Sequence, residues 1–153
     1  MRRAVATDAA GIGALVRSLS PDSIVRRFMG GVSRAFATEE LSREVGCGGG
    51  DFALIAENSS GEIVGEAYAA MLAPQEAEAA FVVRDREQHH GVGTALFTAI
   101  VAELRARGIR TLHADTMRGN VAMLAILNEN GFPTQERFFG GGVHVTLQIG
   151  ARP

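Results

Sequence analysis

The run Gln88-His89-His90-Gly91-Val92-Gly93-Thr94-Ala95 constrains this chain more than any other stretch. It follows an apolar strand pattern at residues 77–83 and opens an amphipathic helix predicted to reach about Gly108. A strand running through a glycine-rich loop into a helix implies a β–α crossover, and so a sheet with a parallel pair. The first N–H groups of that helix have no intrahelical partner, and the aligned peptide dipoles add positive potential there. Gly91 and Gly93 let a phosphate approach the backbone, because no Cβ intervenes. The stretch therefore points to a phosphate-bearing ligand.

Two common phosphate loops do not fit. A P-loop ends in Gly-Lys-Ser/Thr, which is absent here, and a dinucleotide fingerprint needs a third glycine where Leu96 stands. The chain of 153 residues is of the size expected for a single domain over 1–153, with enough surface to bury a core. A net charge of −2 argues against a nucleic-acid partner. No apolar run approaches the length of a membrane span, and the basic start Met1-Arg2-Arg3 lacks the apolar stretch of a signal peptide, so the expected compartment is the cytoplasm. Cys47 is the single cysteine, which excludes an internal disulfide and a cysteine-based metal cluster. His113 and His144 fall in predicted strands without metal-ligand spacing, so neither is assigned a role and no metal is expected.

Along the chain, a short strand is predicted over 2–6, then a helix from Thr7 or Asp8 to Ser18. Ser20-Pro21-Asp22-Ser23 reads as a cap with proline at the first helical position. A third helix is predicted to begin at Thr38, and the glycines at 46–50 break the chain. Strands follow at 51–57, 62–72, 77–83 and 111–117. Asn120 caps a helix that stops at Gly131, and strands at 134–139 and 143–149 flank Gly140-Gly141-Gly142 as a hairpin. The expected fold is α/β (α+β): a mixed central sheet of about six to seven strands flanked by helices.

The pattern Gln/Arg-x-x-Gly-x-Gly/Ala at Gln88 to Gly93 resembles the pyrophosphate loop of the GCN5-related N-acetyltransferases, the GNAT superfamily. Asn120-Val121-Ala122-Met123 followed by Asn130-Gly131-Phe132 resembles that family's asparagine-led helix ending in Gly-Phe. Within the superfamily, residues 77–85 running into Gln88 and Gly91, with Ser20-Pro21-Asp22-Ser23 before Arg27-Phe28, are most similar to protein lysine acetyltransferases of the Pat type. The resemblance implies a GNAT fold over nearly the whole chain, with acetyl-CoA as acyl donor. It places the pyrophosphate on the backbone of Gln88, His89, His90, Gly91, Val92, Gly93 and Thr94. The pantetheine arm would run along Phe81, Val82 and Val83, and Asn120 would bond it or nearby backbone. A free N–H near Val82 or Val83 would polarise the thioester carbonyl.

The family's catalytic glutamate falls on Glu78, the general base that takes the proton of the acceptor amine. On a mostly apolar strand its carboxylate is expected to be desolvated. Glu76, on the same strand face, and Glu66, on the neighbouring strand, are alternatives. Where many relatives carry a tyrosine that protonates the thiolate, this chain has Leu127, and its only tyrosine is Tyr68. The acceptor expected from the Pat resemblance is a protein lysine, with Glu39, Glu40 and Glu44 near one wall of its groove. A small amine as acceptor, and a non-catalytic acyl-CoA sensor, are the alternative readings. The family also allows a homodimer through the C-terminal strands.

Overall fold

The structure is a computed structural model and describes residues 1–150. Among the described residues seven strands form one sheet in the order β1-β2-β3-β4-β5-β7-β6. They are β1 (Arg2–Arg3), β2 (Phe52–Glu57), β3 (Ile63–Ala73), β4 (Glu76–Val83), β5 (Thr111–Met117), β6 (Thr134–Phe139) and β7 (Gly142–Leu147). Five helices flank the sheet: α1 (Ala9–Ser18), α2 (Pro21–Phe28), α3 (Arg34–Val45), α4 (Val92–Ala106) and α5 (Val121–Asn128). Only β4 and β5 pair in parallel, because α4 carries the chain across between them; every other neighbour is antiparallel.

Strand alternation sorts the core into two layers. Gly65, Ala67 and Ala69 of β3, with Ala77 and Ala79 of β4, face α4 and α5, where Leu96, Ile100, Leu104 and Leu127 are fully buried. The opposite face packs Ile55 and Val82 against Ile12, Leu15, Ile24 and Leu41 of α1 to α3. The small residues on the α4 face let that helix lie close to the sheet, since a Cβ at Gly65 would meet Leu96 at 3.0 Å.

Several boundaries differ from the sequence reading. The first strand has only two residues, because an Arg2–Asp8 ion pair at 2.8 Å and a bond from Val5 N–H to Asp8 at 2.8 Å fold residues 6–8 into a 3-10 turn. The third helix begins at Arg34, earlier than Thr38, because Ser33 Oγ accepts from Phe36 N–H at 3.1 Å and caps it. The Ser20 cap is as expected: its Oγ accepts from Ser23 N–H at 3.1 Å, with Pro21 opening α2. Among the described residues no helix is long and apolar enough to cross a membrane.

Candidate functional site

β4 and β5 stay paired for three residues only: Glu76 opposite Thr111, Ala77 opposite Leu112, and Glu78 opposite His113. Beyond Glu78 and His113 the ladder ends, and a cleft of about 380 Å³ lies between the strands. Ala79 to Val83 line it from β4, Ala114 to Thr116 from β5, and Asn120, Met123 and Ile126 from α5 and its cap. The loop ahead of α4 closes one end, and α2 lies across the other side with Ser23, Arg26 and Arg27.

The alternation of an antiparallel ladder decides which backbone groups face this cleft. Arg84 N–H donates to Val64 O at 2.8 Å, so Val82 and Ala80 also turn their N–H groups toward β3. Phe81 and Val83 point theirs into the split. Of the two positions expected to offer a free N–H, only Val83 does so, and Phe81 joins it. Thr116 adds a buried Oγ1 with no hydrogen-bond partner.

At the loop, Gly91 takes φ = +84°, in the left-handed region where a Cβ is strained, and caps α4 without a side chain. Ala95 N–H closes the first helical turn onto Gly91 O, leaving the N–H groups of Val92, Gly93 and Thr94 without intrahelical acceptors. Gly93 serves packing as well as access, since a Cβ there would lie 3.0 Å from Ile126 Cδ1 of α5. Gln88, His89, Gly91, Gly93 and Thr94 line the cleft, as do Phe81, Val82, Val83 and Asn120. His90 is exposed outside the cleft, and the Val92 side chain packs on the α4 core; only their backbone belongs to the loop.

Gln88 turns its side chain inward. Its Nε2 donates to Val83 O at 2.9 Å and to Ser23 Oγ at 3.1 Å. Asp85 accepts from Ser20 N–H (2.9 Å), Ser20 Oγ (2.5 Å) and Ser23 Oγ (2.9 Å). Burial works against the Asp85 carboxylate, but the Ser20 and Ser23 hydrogen bonds hold its pKa below the usual range. The loop and α2 are thus tied together. Asn120 caps α5 by accepting from Met123 N–H at 3.3 Å, and its amide NH₂ has no protein partner among the described residues.

The carboxylates are placed differently from expectation. Glu78 stands at the head of the split on the sheet face opposite α4, and it is exposed, not desolvated. Two other glutamates are buried: Glu66, fully enclosed, has Arg27 Nη2 at 3.9 Å, and the same nitrogen binds Glu44 at 2.6 Å. Burial pushes the Glu66 carboxyl up to about 8, against the pull of Arg27. Glu44 is therefore a buried ion-pair partner and not a groove wall, while Glu40 pairs with Arg43 on the surface. Tyr68 is held by Asp51 at 2.9 Å and Leu127 is buried in the core. The Cys47 thiol has its pKa raised by burial and lies outside the cleft.

His113 and His144, given no role from sequence, meet on the same sheet face as Glu78. His144 Nδ1 lies 2.6 Å from Asp115 Oδ1, His113 Nδ1 lies 3.2 Å from His144 Nε2, and His113 Nε2 lies 3.3 Å from Glu76 Oε2. The alternation His113-x-Asp115 is visible in the sequence, but the pairing of Asp115 with His144 is a product of sheet register. Among the described residues no three His, Cys, Asp or Glu side chains form a metal site.

A family model described as the acetyltransferase (GNAT) family matches residues 23–132. The chain is similar to the GNAT domain of S. lividans PAT at 25% identity, over 95% of this chain and 87% of that one, with a TM-score of 0.80. It shares its fold with the ribosomal-protein-alanine N-acetyltransferase of Brucella melitensis, at 21% identity, 95% and 96% coverage and a TM-score of 0.68. It also shares it with a phosphinothricin acetyltransferase of Sinorhizobium meliloti solved in complex with AcCoA, at 20% identity, 95% and 84% coverage and a TM-score of 0.70. No curated protein matches the sequence.

Proposed function

The chain belongs to the acetyltransferase (GNAT) family, and from that premise we propose that it moves an acetyl group from acetyl-CoA to a protein lysine side chain, with Glu78 as general base. The observation that carries the reading is the split that opens at Glu78, floored by free β4 N–H groups and closed by a helix N-terminus. The residues present suit the donor. The N–H groups of Val92 to Thr94 and the bare Gly91 backbone would hold the pyrophosphate. The pantetheine arm would add to the open edge of β4 through Phe81 and Val83, with Thr116 Oγ1 and the Asn120 amide as further polar partners. Val83 N–H, or Phe81 N–H, would stabilise the oxyanion of the tetrahedral intermediate.

A lysine ammonium has no lone pair, and about one amine in 10³ is neutral at pH 7. Glu78 would take one proton, directly or through one water, before the nitrogen attacks the thioester carbon. The C–N bond forms, the C–S bond breaks, the second nitrogen proton passes to water or the departing thiolate, and the thiolate leaves as a good leaving group without the tyrosine that Leu127 replaces. An exposed base on an open sheet face suits a side chain presented by a folded protein, as does the similarity to Pat-type enzymes. The exposed β6 edge, with Phe138 and Phe139, is where a homodimer would form.

The test is acetyl-lysine mass spectrometry on a soluble proteome incubated with acetyl-CoA and either wild-type protein or Glu78→Gln. This chain contains no lysine, so every acetyl-lysine found belongs to an acceptor. The variant is expected to lose turnover by about 10²–10⁴ while keeping acetyl-CoA affinity. Near-normal turnover would remove Glu78 from the mechanism. Coenzyme A release with small amines but no protein marks would make the acceptor a small molecule.

A further inference from the structure

We propose a proton relay from the acceptor amine, through Glu78 or water, to His113 Nε2, with His144 and Asp115 holding His113 in the receptive tautomer. The inference deepens the acetyl-transfer reading and rests on it. The hydrogen-bonded row that positions His113 begins at Asp115, which lines the cleft, and ends on the open sheet face between Glu76 and Glu78.

The proton count supplies the reason. Three contacts link four groups in a row, and the two end groups are carboxylates, which only accept. Two neutral imidazoles bring two protons to three contacts, so one contact must lack a proton. The shortest contact fixes one of the two protons, and in the proposed relay the other lies between the imidazoles. The His144–Asp115 contact is 2.6 Å, the length of a charge-assisted bond and too short for facing lone pairs, so His144 Nδ1 carries hydrogen. His144 Nε2 is then an acceptor, and hydrogen on His113 Nδ1 completes the bond to it at 3.2 Å. The rings lie within 28° of coplanar with centroids 5.3 Å apart, longer than the N–N contact by about two ring radii, so they meet edge to edge along the bond. Thr146 Oγ1 flanks the same His113 nitrogen at 3.4 Å.

What remains is His113 Nε2, a lone pair aimed at Glu76 across the longest gap, 3.3 Å. One added proton there completes all three bonds at once, and the resulting imidazolium lies between carboxylates. His113 stands directly across the ladder from Glu78, the last paired residue before the split. An ammonium held by Glu76 and Glu78 would therefore lie beside a pre-aligned acceptor, and the proton would pass from amine to Glu78 or water and then to His113 Nε2. Asp115 and His144 are positioning residues in this scheme, because they fix the tautomer of His113.

The charged groups facing the pair are Glu76 and Glu78 of β4, Asp115 of β5, Arg137 of β6 opposite His144, and Arg26 and Arg27 of α2 across the cleft.

The relay is tested first without turnover. Long-range ¹⁵N spectra of the wild-type protein, at a pH where both imidazoles are neutral, should show hydrogen on Nδ1 of both His113 and His144. Hydrogen on His113 Nε2 would overturn the proposal. Kinetics supply the second arm. His113→Gln should lower kcat/KM for the amine about tenfold at pH 7 with the acetyl-CoA KM unchanged, and the loss should shrink as rising pH deprotonates the amine in solution. Glu76→Gln, at a half-exposed position that cannot affect folding much, should shift the same pH profile in the same sense. A loss independent of pH, or none, would overturn the relay while leaving Glu78 as base. Expected tautomers with no coenzyme A release by wild type would instead overturn acetyl transfer itself.

Discussion

Gly91 shows how much one residue can fix. Its φ of +84° places the chain where the α4 N–H groups point outward together, and a Cβ there would meet no neighbour. Gly91→Ala therefore introduces backbone strain and no clash, about 1–2 kcal/mol for an L-residue in the left-handed region. The fold should survive with a lowered melting temperature, and calorimetric titration should find acetyl-CoA bound about tenfold more weakly; unchanged affinity would detach the loop from pyrophosphate binding. The glycine was legible from its motif. The neighbouring Gly93 was legible only in part, because the missing Cβ also makes room for Ile126, a contact between helices far apart in sequence. Glu78 and Glu66 make the same point for charge. Both are glutamates in apolar strands, and only the packing of α2 and α3 decides that Glu66 is enclosed and Glu78 is open.

At the scale of elements, α2 depends on a distant part of the chain. It is eight residues long, too short to hold itself in water, and its N-terminus is fastened by Asp85, 65 residues from Ser20. Gln88, from the phosphate loop, reaches Ser23 of the same helix. Removing the carboxylate by Asp85→Ala should cost about 1–2 kcal/mol, the range of a helix cap with its charge contribution. Hydrogen exchange in α2 should accelerate, and the acetyl-CoA KM should rise because the loop is released at the same time. Exchange that speeds up uniformly across the molecule would instead mean that α2 does not open by itself. The cap Ser20-Pro21-Asp22-Ser23 announced this helix in the sequence, but nothing there announced Asp85 as its anchor. The late prediction of α3 has the same origin: Ser33 caps it locally, while Thr38-Glu39-Glu40 offered a rival start within the helix.

Across the whole molecule, Arg27 of α2, Glu44 of α3 and Glu66 of β3 join three elements in one buried cluster. With Glu66 protonated, one cation meets one anion and the cluster is neutral; with Glu66 ionised, an uncompensated negative charge is buried. Its folded pKa, raised by burial to about 8, lies above the ordinary carboxyl value of the unfolded chain. The native state then binds more protons than the unfolded state between those values, so stability falls as pH rises. The contribution is full below the ordinary carboxyl range and is lost as pH climbs through about 8. Urea unfolding at about pH 5 and about pH 9 should show this slope in wild type and a flatter one in Glu66→Gln, the neutral isostere. Equal slopes would mean that Glu66 is ionised in the native protein.

The local signals were enough to determine the order of elements, the glycine loop at a helix start, the Asn120 cap and the position of Glu78 in β4. Each depends on hydrophobic period, backbone freedom or a capping side chain within a few residues. Tertiary structure alone decided where β4 and β5 part, which β4 N–H groups are left free, and which carboxylate is buried. It also brought His113, His144, Asp115 and Glu76 into one row. These depend on ladder register and on helices packed from distant parts of the chain, and a one-residue slip would turn every such side chain to the other face.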